Sequence, residues 1–175
     1  MVNFTLWEMC KDLQHIAANG NCVINAIIFG YLDDPSIPIA VREDFRNMST
    51  QQIREKIVSR VAVLGAERDN KSGSHDEFEI VSMSHELSPK SGKAPFTSWS
   101  NYIDKVGNKN LFYLDQVLFS EVEIRNLAEF LDITIAVYSC DLELKVVYNQ
   151  GSGRPQIDIL LIAHEEMPRH YLTLT

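Results

Sequence analysis

The chain has 175 residues, 45% of them hydrophobic and 23% charged, a size and balance that predict one globular domain spanning 1–175 with a substantial core. A net charge of −8 without any basic run argues against nucleic acid as a partner, and no apolar stretch approaches the roughly 20 residues of a membrane span. Three widely spaced cysteines without a CxxC pair, behind a start with no signal-peptide character, predict a reduced compartment, most simply the cytosol.

Residues 6–17 read as a short helix or an irregular lead-in. Ala18-Asn19-Gly20-Asn21 suits a turn, and the apolar run from Cys22 to residue 32 predicts a buried helix with Asn25 as its polar exception. Cys22 would then stand at a helix N-terminus, where free N–H groups and the positive end of the dipole favour an anion. A thiol so placed can fall from a pKa of about 8.5 into a range of roughly 3.5–7.5.

Ser49 or Thr50 can cap the next helix, with Ile53, Ile57, Val61 and Leu64 on its core face and Gly65 as its stop. Glu67–Asp76 and Ser88–Pro95 read as loops around a mixed segment, 77–87. Phe96–Val106 predicts a short helix ending near Gly107. Ser120 with Glu123 forms a capping-box pattern, followed by an apolar stripe of Ile124, Leu127, Ala128 and Leu131. Segments 134–140, 142–148, 157–163 and 170–175 are strands by their β-branched and aromatic content, with a turn at 150–155. Helices first and strands last predict an α+β domain: a small, mostly antiparallel sheet packed against helices.

A nucleophilic thiol needs a base to take its proton. His170, followed by Tyr171 on the last strand, is the first candidate, and His164 is the fallback. His15, His75 and His85 have no useful spacing to a carboxylate or cysteine. Each role has a plain structural counterpart: Cys22 as a small buried apolar residue, His170 as a satisfied strand histidine. Cys10 and Cys140 read as structural, and Trp99, at helical spacing with Tyr102 and Ile103, reads as core. No CxxC, HExxH or paired-histidine cluster suggests a metal.

Three ordered blocks carry a family resemblance. The first is Asn19-Gly20-Asn21-Cys22-Val23-Ile24-Asn25-Ala26-Ile27. The second runs from Trp99-Ser100-Asn101-Tyr102 through Glu123-Ile124-Arg125-Asn126-Leu127-Ala128 to Ile133-Thr134-Ile135-Ala136-Val137-Tyr138. The third is His170-Tyr171. Together they resemble the ovarian-tumour (OTU) family of deubiquitinating cysteine peptidases across nearly the whole chain. Three positions depart from it: Asn19 where the family has Asp, Asn25 where it has Arg or His, and Leu172 where it commonly has Asn or Asp to orient the histidine.

The resemblance implies a papain-like OTU fold with Cys22 as nucleophile and His170 as general base. It implies an oxyanion hole from the backbone of Cys22 with the loop at Asn19 and Gly20, although Asn19 and Asn21 read equally as turn formers. Because Leu172 cannot accept the ring N–H bond, Asn19 or Asp12 becomes the candidate third residue, or the site runs as a dyad. The implied partner is ubiquitin or a ubiquitin-like protein, met by a monomer without any cofactor or metal, with recognition from loops at 67–76, 88–95 and 150–155. Glu165 and Glu166 are either solvated carboxylates or a hold on a basic tail. A divergent member acting as a viral or bacterial effector in host cytosol is the expected setting. A ubiquitin- or protein-binding module with weakened catalysis, or a polyprotein-processing protease, stays open beside it.

Overall fold

The computed structural model describes residues 21–85, 96–107, 119–164 and 167–174, with the side chains of 163–170 outside the description. The segment 6–17, Cys10, Asp12, His15, Asn19, Gly20, the stretch 88–95, Glu165 and Glu166 all lie outside the described residues.

Helix α1 (Cys22–Asp33) buries Cys22, Val23, Ile24, Ala26, Ile27 and Tyr31, as an all-round apolar run must. Its polar exception is answered: Thr50 Oγ1 donates to Asn25 Oδ1 at 2.7 Å. A short helix, α2 (Ile39–Arg46), follows, with no buried residue of its own. Helix α3 (Thr50–Ser72) begins at a complete capping box between Ser49 and Gln52.

The expected stop at Gly65 is wrong. Helix α3 runs a further seven residues to Ser72 and is capped by Gly73 in the left-handed region (φ 67°). Gly65 is needed for a different reason: a Cβ there would lie 2.4 Å from the Trp99 ring, so only glycine lets that indole close on the helix. Most of the loop expected at 67–76 is thus helical. The mixed segment after it is helix α4 (Asp76–Ser84), its start tied to α3 where Asp69 accepts from the N–H groups of Glu77 (2.9 Å) and Phe78 (3.2 Å).

Helix α5 (Trp99–Gly107) and helix α6 (Glu121–Leu131) pack with α3, and α6 carries the predicted capping box and core stripe. Trp99 meets Phe78 and Tyr102 edge-on, as a core residue should.

Four strands complete the fold: β1 (Thr134–Tyr138), β2 (Leu144–Tyr148), β3 (Gln156–His164) and β4 (Met167–Leu174). The sheet order is β2-β1-β3-β4, with β1–β3 parallel and the other two pairings antiparallel, so the sheet is mixed but mostly antiparallel. The α+β reading holds. Helix α1 packs on β3 and β4, and Thr173 Oγ1 donates to the Ala26 carbonyl at 2.6 Å. That bond joins the helix opened by Cys22 to the strand that carries His170.

Candidate active site

Cys22 is the first residue of α1, with Asn21 as its N-cap. The Asn21 side chain makes no capping bond to the helix; its Oδ1 instead accepts from Arg54 Nε at 2.6 Å. The first-turn amides are thereby left for the sulfur, and the N–H groups of Cys22 and Val23 both favour its anion. A third amide comes from across the molecule. The N–H of Tyr171, on β4, is directed at the same sulfur and favours the thiolate as well. Three backbone donors around one sulfur are a setting for negative charge.

Burial works against them. Cys22 is fully buried, and desolvation outweighs the amides of Tyr171, Val23 and Cys22 and the nearby charge of Arg54, so its thiol pKa is raised above the ordinary value. The expectation of a lowered pKa is therefore not met. The helix N-terminus is where the sequence puts it, but a dry environment dominates the shift. Deprotonation then depends on a base rather than on spontaneous ionisation.

His170 is the neighbour of Tyr171 on β4 and pairs with Ile162 across the β3–β4 ladder. Its backbone thus adjoins the amide that meets Cys22, while its side chain lies outside the description. His164 ends β3, paired with Met167. Leu172 pairs with Leu160 and is half-buried. Asn19, Gly20 and Asp12 lie outside the described residues, so the loop side of the oxyanion hole and the third residue stay expectations. Cys140 is exposed rather than a buried structural thiol, its Sγ 3.6 Å from the Leu161 carbonyl. Among the described residues no group of His, Cys, Asp and Glu could hold a metal ion, and no helix is long and apolar enough to cross a membrane.

Two features were not anticipated. Arg54, in a polar-looking stretch of α3, is only 3% exposed and lies behind the Cys22 turn. Its Nη1 donates to the Val106 carbonyl at 2.7 Å, and its guanidinium sits 4.8 Å above the Phe119 ring. Burial lowers its pKa to about 10, opposed by the charges of Glu123, Tyr102 and Cys22.

Beyond it lies a buried cluster. Glu123 Oε1 meets His85 Nε2 at 2.5 Å and accepts from Tyr102 Oη at 2.8 Å, while Oε2 accepts from Ser120. Sequence spacing shows no carboxylate partner for His85, yet the fold supplies one from 38 residues away. The capping box was the available signal at Glu123, although it reports only the local half of the cluster.

No protein-family model matches the chain, and no curated protein sequence matches it. Among solved structures it is similar to the OTU domain of OTUD1, with a TM-score of 0.56 at 16% identity over 98% of this chain and 89% of that one. The chain has an OTU-like fold. At this identity the likeness speaks for architecture alone.

Proposed function

We propose that this chain is an OTU-type cysteine peptidase that hydrolyses the isopeptide bond after the C-terminal glycine of ubiquitin or a ubiquitin-like protein. The observation that carries the reading is the convergence of the α1 amides and the Tyr171 N–H on the Cys22 sulfur, with His170 next in the chain to Tyr171. The similarity to the OTU domain of OTUD1 supports the same reading at the level of fold.

In this mechanism His170 takes the Cys22 proton and the sulfur attacks the glycine carbonyl. Backbone donors at Cys22, with the loop at Asn19 and Gly20, receive the charge on the carbonyl oxygen. His170 then protonates the leaving lysine amine. Water, deprotonated by the same imidazole, releases the acyl group and restores the thiol. Asn19 or Asp12 orients the imidazole in place of Leu172, or the site works as a dyad. No cofactor takes part. The protein acts as a cytosolic monomer.

One observation favours a second reading. A fully buried thiol with a raised pKa suits an OTU-fold module that binds ubiquitin without cleaving it. Intact mass after incubation with ubiquitin bearing a C-terminal cysteine-reactive warhead separates the two. An adduct lost in Cys22→Ala, and diminished in His170→Ala, supports the peptidase. Binding of ubiquitin by the folded protein without an adduct supports the module and sinks the enzyme.

A further inference from the structure

We propose that Arg54 is a positioning residue for the nucleophile: it ties the Cys22 turn to the body of the helical layer and supplies a buried positive charge behind the sulfur. The inference rests on the reading of Cys22 as nucleophile.

The geometry carries the argument. Arg54 uses two arms of its guanidinium for two different elements, Nε to Asn21 Oδ1 at 2.6 Å and Nη1 to the Val106 carbonyl at 2.7 Å. The first contact holds the residue immediately before the nucleophile. The second closes the C-terminal turn of α5, where the carbonyl end of the helix favours a cation. The Phe119 ring, at 4.8 Å, lies against the guanidinium face. A planar fork reaches two acceptors and an aromatic face at once, which a lysine cannot do.

Asn21 adds the second half of the case. An N-cap asparagine normally turns its side chain onto the helix amides. Here it is turned away to Arg54, and the Cys22 and Val23 N–H groups instead serve the sulfur. Arg54 therefore decides what the helix N-terminus binds. Its removal would break the bond that turns the Asn21 side chain from the helix, and an N-cap side chain turned inward competes with the sulfur for the Val23 N–H.

The charges facing this group come from several elements. Glu123 of α6, paired with His85, Tyr102 of α5 and Cys22 of α1 all act on the Arg54 charge. From β4 the Tyr171 N–H also faces the sulfur, and His170 precedes it in the chain. Among the described residues Glu123 is a carboxylate whose charge supports the buried arginine, and the field of Arg54 on Cys22 favours the thiolate.

The test titrates Cys22 through the NMR shift of its β-carbon, assigned against Cys22→Ser, in the wild type, Arg54→Gln and Arg54→Lys. Labelling by the ubiquitin warhead is timed alongside. Arg54→Gln should move the Cys22 titration upward and slow warhead labelling several-fold. Arg54→Lys keeps the charge but loses the fork, so its titration should move less while warhead labelling still slows several-fold. A purely structural arginine would lower thermal stability in both variants and leave the titration of the folded protein where it was. That result overturns the inference, and if Arg54→Gln does not fold, unchanged titration and unchanged labelling in Arg54→Lys overturn it equally. If the wild type gives no ubiquitin adduct but the titration shifts as stated, the substrate reading fails and the role of Arg54 stands.

Discussion

His85 Nε2 and Glu123 Oε1 lie 2.5 Å apart in the core, the histidine 3% exposed and the carboxylate not exposed at all. A charge that deep is stable only with its hydrogen bonds made, and Glu123 makes them to His85, Ser120 and Tyr102. Burial pushes its carboxyl upward, but the bond and charge of His85 with the two hydroxyls outweigh this and hold it below the ordinary value. The sign follows from linkage. A carboxylate depressed in the folded state contributes stability above its unfolded pKa and loses it as pH falls through the folded one. Stability measured by urea denaturation should therefore decline toward acid. Glu123→Gln should flatten that decline and cost about 3–5 kcal/mol at neutral pH. An acid limb of unchanged steepness in the variant would count against the assignment.

Gly65 offers a test with a reversed sign. Alanine for glycine inside a helix ordinarily adds about 0.5–1 kcal/mol of stability. Here the new methyl would meet Trp99 at 2.4 Å and 2.6 Å, so Gly65→Ala should instead destabilise by about 1–3 kcal/mol. Thermal unfolding decides it, and a raised Tm would mean that the indole moves freely.

Thr173 binds β4 to helix α1 through its buried hydroxyl. Thr173→Val keeps the shape and the strand preference but leaves the Ala26 carbonyl without this donor. The expected cost is about 1–3 kcal/mol in chemical denaturation, largely restored in Thr173→Ser. Warhead labelling should slow in the valine variant, because the Tyr171 amide sits on the same strand.

The two described cysteines should part company toward a small neutral alkylating agent. Cys140 is exposed and should react first at neutral pH; Cys22, buried and raised, should gain rate only as pH climbs past the ordinary thiol range. Peptide mass mapping over a pH series reads both. Faster neutral alkylation at Cys22 than at Cys140 would contradict the dominance of desolvation.

The legible parts of this molecule were the local ones. Ser120 with Glu123 announced a helix start because a capping box is written within four residues, and the strands announced themselves by composition. Gly65 misled because a glycine permits both a helix stop and a close approach, and only the position of Trp99 decides between them. Helix α2 passed unread because it has no fully buried residue and meets the core through Phe45, edge-on to Tyr31 and Phe130, rather than through a repeating stripe. Arg54 was invisible for a related reason: its burial is imposed by Val106 and Phe119, far along the chain. Cys22 at a helix N-terminus was legible, but the dryness that sets its chemistry was not.

The bond from Thr173 to Ala26 spans 147 positions of sequence. A chain emerging from the ribosome has its thiol helix early and must wait for β4 before the Tyr171 amide can arrive. Before β4 arrives, the sulfur has the amides of its own helix and the charge of Arg54 on α3. The contacts around Cys22 are thus completed across a long stretch of chain, and pairings of such separation assemble slowly because long loops close before their contacts repay them.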